Sequence, residues 1–84
     1  MTDEEFDIID ELYFVTSYTD LKEATEFSDE QLRTHLIQMA QKGWVRVYKN
    51  VDEESELERL DFENDYQSFF YLASKKGLFE HNTQ

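Results

Sequence analysis

Apolar residues recur along this chain first with a helical period and later with mixed periods. Phe6, Ile9, Leu12 and Tyr13 fall at i, i+3, i+6 and i+7, with Ile8 and Val15 widening the same side, which predicts a helix over residues 3–16 capped by Thr2 or Asp3. Ser17, Tyr18 and Thr19 interrupt that pattern. A second helix is expected from about Asp20, with Thr19 as its N-cap and Leu21 and Ala24 on one face. Phe27 lies between two polar stretches, where it can plug the corner before a third helix. Ser28 followed three residues later by Gln31 has the spacing of a capping box, and Asp29 and Glu30 place negative charge at the positive end of the helix dipole. Leu32, Leu36, Met39 and Ala40 then mark one buried stripe, and Gly43 supplies the residue that stops the helix in a left-handed conformation.

Trp44, Val45, Val47 and Tyr48 are β-formers, so a strand follows directly. Residues 50–56 are polar and acidic, as in a loop. Leu57, Leu60 and Phe62 mix helical and strand spacings, residues 63–65 read as a turn, and the aromatic run over residues 66–72 reads as a second strand. An antiparallel hairpin with a long connection is expected. Ser74 caps a short last helix over residues 75–81, and the final residues fray. The fold class implied is α+β: a three-helix core with a helix-turn-helix at residues 20–43, a strand and wing at 44–72, and a short C-terminal helix.

This arrangement resembles the winged helix-turn-helix superfamily of bacterial transcription regulators. The places of the family pattern are held by Leu21, Ala24, Phe27, Ser28, Leu32, His35, Leu36, Met39 and the run Gly43, Trp44, Val45. A second match is the segment from Tyr71 through Lys75 and Lys76 to Gly77, which looks like the segment that closes the wing and opens a last helix. The chain departs from the pattern at Glu26, where many members have glycine in the turn, and at Ala73, where a larger apolar residue is usual. The resemblance implies a recognition helix over about residues 29–42. Gln31, Arg33, Thr34, His35 and Gln38 would face base edges, and Lys42, Arg46, Lys75 and Lys76 would hold phosphate, with two copies expected to act as a homodimer on duplex DNA.

Composition changes this picture. With 84 residues the chain makes one small domain, and an aromatic fraction of 15% supplies a dense core. The absence of cysteine removes disulfides and thiolate metal sites, the acidic start is unlike a signal peptide, and the cytoplasm is the expected location. No apolar run reaches membrane-spanning length. Only two histidines are present, His35 and His81, on separate elements, and neither a calcium loop nor a phosphate-cradling glycine loop is present. Catalysis, metals and cofactors are therefore not expected.

The formal net charge is −12, and it is unevenly placed. Residues 1–27 carry nine acids and one lysine, and residues 49–65 carry eight acids and two bases, whereas residues 28–48 carry two acids and three bases. A wing with Asp52, Glu53, Glu54, Glu56 and Glu58 near its tip would be repelled by the DNA backbone it should grip. Against this, Arg33, Lys42, Arg46, Lys49, Lys75 and Lys76 could form one basic patch. Two readings of different class follow: first, on the resemblance, a DNA-binding regulator, and as its alternative, on composition, an acidic interaction module that docks on a basic protein and in one form mimics nucleic acid. They divide on whether the bases converge in space or wing acids fill the space between them.

Overall fold

The computed structural model describes residues 1–83. Helix α1 is Asp3–Asp10, a short strand β1 is Thr16–Ser17, and helices α2 (Tyr18–Thr25) and α3 (Asp29–Gln41) follow. A hairpin of β2 (Val45–Asn50) and β3 (Glu53–Ser55) leads through a one-turn helix α4 (Phe62–Asp65) to β4 (Phe70–Ala73) and a last helix α5 (Lys75–Asn82). The four strands make one antiparallel sheet in the order β1, β4, β2, β3. This is an α+β domain.

The first helix is shorter than its apolar spacing predicts. It stops at Asp10, because Leu12 turns fully into the core and its carbonyl accepts the Ala73 N–H at 2.8 Å, which commits the following residues to the sheet. Val15 and Thr16 are β-branched and suit that outcome, and Thr16 pairs with Tyr71. Ser17, not Thr19, caps α2, accepting the Asp20 N–H at 3.1 Å. Leu21 and Tyr18 carry the buried face of that helix, and Ala24 is exposed.

Helix α3 has the expected form. Ser28 and Gln31 make a reciprocal capping box, and Leu32, Leu36 and Met39 are fully buried. At its end Gly43, with φ of 79°, lets its own N–H reach the Ala40 carbonyl and the Trp44 N–H reach the Met39 carbonyl, a Schellman ending. Phe27 packs half-buried against the core at the corner between α2 and α3.

The segment expected as an unbroken strand over residues 66–72 is a strand only from Phe70. Phe62 and Tyr66 are four residues apart and stack at 5.7 Å between ring centroids, and Phe62 lies 6.4 Å from Phe69. One helical turn brings those rings together, so aromatic packing overrides strand propensity there. Within the sheet Val45, Val47, Tyr71 and Ala73 turn inward and join Ile8, Ile9, Leu12 and the α3 stripe in one core.

Two glycines and one glutamate make the backbone testable. A Cβ on Gly77 would stand 2.2 Å from the Trp44 carbonyl oxygen, whereas one on Gly43 would meet nothing nearer than 3.8 Å. Gly77→Ala is expected to lower stability by about 2 kcal/mol through that collision, and Gly43→Ala by about 1 kcal/mol through its backbone angle alone. Glu26 takes the left-handed conformation, φ of 60°, at the end of α2. Glu26→Gly should therefore raise stability by about 1 kcal/mol, read in each case from urea unfolding midpoints.

Candidate interaction surfaces

The outward side of α3 begins at its cap. Gln31 is exposed, but its Oε1 accepts the Ser28 N–H at 2.9 Å, so its amide serves the helix start. Arg33 places Nη1 2.9 Å from Glu63, a residue of α4. His35 is turned toward α1, with Nε2 2.7 Å from Glu4, and its Nδ1 is buried without a hydrogen-bond partner among the described residues. A histidine so placed links α3 to α1. Thr34 and Gln38 remain exposed, and neither makes a side-chain hydrogen bond among the described residues.

Lys42 is exposed but likewise paired. Its ammonium stands 3.4 Å from Glu5 and 4.6 Å from the centroid of the Trp44 ring, a charge pair and a cation–π contact on one side chain. Arg46 reaches Glu54 across the hairpin at 3.8 Å. Lys22 and the Tyr18 hydroxyl both bond Asp29 at the start of α3. Lys49, Lys75 and Lys76 are exposed and lie outside the ion pairs of the described residues.

Arg46, Lys75 and Lys76 do converge. They line an open groove of about 730 Å³ between the end of α3, the β2–β3 hairpin and the start of α5. Glu54, Glu56 and Glu58 line the same groove, so three acids face three bases. Asp52 and Glu53, the other acids of the predicted wing surface, are exposed at the hairpin turn. The groove's net charge is near zero, a poor match to a line of phosphates.

Burial and bonding act on the carboxyls that hold these bases. Burial opposes ionisation of Glu5, but the Thr2 N–H at 2.8 Å, Lys42 and the Thr2 hydroxyl outweigh it and hold its carboxyl below the ordinary 4.5. Asp29 is held below its ordinary range by the Tyr18 hydroxyl first and by Lys22 second. Burial, then Asp29, pushes the Tyr18 phenol up.

The acids that neutralise α3 were missed by sequence reasoning. Thr2 followed by Glu5 has capping-box spacing, and the box is formed, so a signal for the placement of Glu5 was present. Glu4 and Glu63 carried none, since their pairing depends on how α1 and α4 pack. Comparison with family models, with curated proteins and with solved structures gave no match to this chain.

Glu5 and Asp29 predict an acid limb of stability. A carboxyl held low in the folded state stabilises it above the unfolded value, and that contribution fades as pH falls below about 4.5 through the folded value. Glu5→Gln should cost about 1 kcal/mol at pH 7 and progressively less below pH 4.5, measured by urea unfolding across pH. A difference that stays constant with pH would remove Glu5 from that limb.

Proposed function

We propose that this chain is a protein-interaction module of winged-helix type, docking a basic protein partner through its acidic surface. The order of three helices, a short strand that joins the sheet, a hairpin and a closing helix supports the winged-helix reading. Carrying the functional reading is one observation: Arg33, His35, Lys42 and Arg46, four of the residues a DNA contact would use, each lie within 4 Å of the chain's own carboxylates. Binding a duplex would require those pairs to open while the groove acids stayed opposite the phosphates. With a formal net charge of −12, the unmatched surface is negative.

DNA contact is the second reading, and the exposed Thr34, Gln38, Lys75 and Lys76 favour it, because no carboxylate of the described residues pairs with them. Fluorescence anisotropy separates the two. Labelled mixed-sequence duplex is expected not to bind even at low salt, while a lysine-rich peptide binds and is released as salt rises. Salt-sensitive duplex binding, with no binding of the peptide, would reverse the assignment.

A further inference from the structure

The loop between α1 and β1 holds two aromatic rings in solvent without being slack. Phe14 is 83% exposed and Tyr13 49% exposed, side by side. Single exposed apolar residues are common and mean little. Here the backbone that carries them is tied at three points. Leu12 is fully buried beneath the loop, its N–H reaches the Ile9 carbonyl at 3.0 Å, and its carbonyl accepts the Ala73 N–H at 2.8 Å. On the other side the Thr16 hydroxyl stands 2.7 Å from the Phe14 carbonyl and 3.2 Å from that of Glu11. Tyr13 is further positioned edge-on to His81, at 6.1 Å between ring centroids. Phe14 is thus presented on a pre-set backbone, which spares a partner the ordering of that loop.

The charge beside these rings selects the occupant. Asp7, Asp10 and Glu11 line one side of a depression between α1 and the end of α2, with Ala24 and Thr25 on the other, and Asp10 also reaches His81 Nε2 at 2.7 Å, which ties the acids to the Tyr13 side of the loop. No lysine or arginine occurs before Lys22. A second copy would bring the same acids against each other, and an anionic lipid surface would be repelled.

The geometry points to this acidic, aromatic-tipped end of α1 as the docking site for a basic amphipathic segment of a protein partner. An apolar side chain of that segment covers Phe14, and its ammonium or guanidinium groups meet Asp7, Asp10 and Glu11, with a cation also able to lie over an aromatic face. This rests on the interaction-module reading and names the surface and the partner's chemistry.

Two synthetic probes of equal positive charge test it: a helical peptide with leucines on one face and lysines on the other, and a peptide of lysine and serine. The whole chain should bind the leucine-bearing probe about tenfold more tightly, and Phe14→Ala should abolish that preference while leaving the lysine–serine affinity unchanged. Asp7→Asn with Glu11→Gln should weaken both probes. Because Phe14 is so exposed, its replacement should not move the urea midpoint, so a loss of preference reports on binding. If both probes bind but Phe14→Ala leaves their ratio as it was, the docking site is elsewhere and the broader reading survives. If neither binds, both readings fall. Self-association that depends on Phe14, seen by sedimentation, would instead assign the loop to a second copy.

Discussion

The whole chain hangs on a junction of four residues, where the end of α3, the start of β2 and the start of α5 meet around one backbone carbonyl. Trp44 offers that carbonyl, and the Ser74 N–H donates to it at 2.9 Å. The Ser74 hydroxyl donates to the Gly43 carbonyl at 2.5 Å and accepts the Gly77 N–H at 3.0 Å, so one small side chain closes the Schellman end of one helix and caps another. Only a residue without a Cβ fits at position 77, given the 2.2 Å approach to the Trp44 oxygen. Because these bonds satisfy groups that helix ends leave open, the junction sets the angle at which α5 leaves the sheet. Lys75 and Lys76 are thereby delivered to the groove opposite the hairpin acids.

Charge is arranged to suit that scaffold. A surplus of carboxylates this large destabilises a compact state by self-repulsion unless cations are placed among them. Five of the eight lysines and arginines stand within 4 Å of a carboxylate, namely Lys22, Arg33, Lys42, Arg46 and Arg59. Exposed pairs of this kind add little individually. Lys42 with Glu5 differs, since the carboxylate is buried and bonded at the capping box, so removing its partner would leave a buried charge less compensated.

How much of this was legible depends on the range of the interaction. Helix α3, its capping box and its glycine stop were readable because each is set by residues within five positions of one another. The end of α1 was not, because Leu12 completes a helical apolar pattern yet is claimed by Ala73 from across the sheet. The strand expected at residue 66 failed for a related reason: the Phe62 and Tyr66 stack and the Tyr71 hydroxyl bond to the Tyr66 carbonyl at 2.7 Å are tertiary outcomes. For the candidate site, residue types were legible and their partners were not. Arg33 and His35 look like recognition residues by position, and only packing shows them facing Glu63 and Glu4.

That packing divides the acids of α1 into two rows with different consequences. Glu4 and Glu5 turn toward α3, where Glu4 meets His35 and Glu5 meets the Lys42 ammonium. Asp7, Asp10 and Glu11 turn toward α2 and the loop, where Asp10 meets His81 and no lysine or arginine of the described residues answers any of the three. The inner row is structural, since it joins two helices and lowers the charge between them. Asp10 joins α1 to α5 through His81, whereas Asp7 and Glu11 meet no cation among the described residues and are screened by solvent. Asp7 and Glu11 thus stand without a cation beside two exposed rings on a tied backbone, a combination the packing of the core does not require.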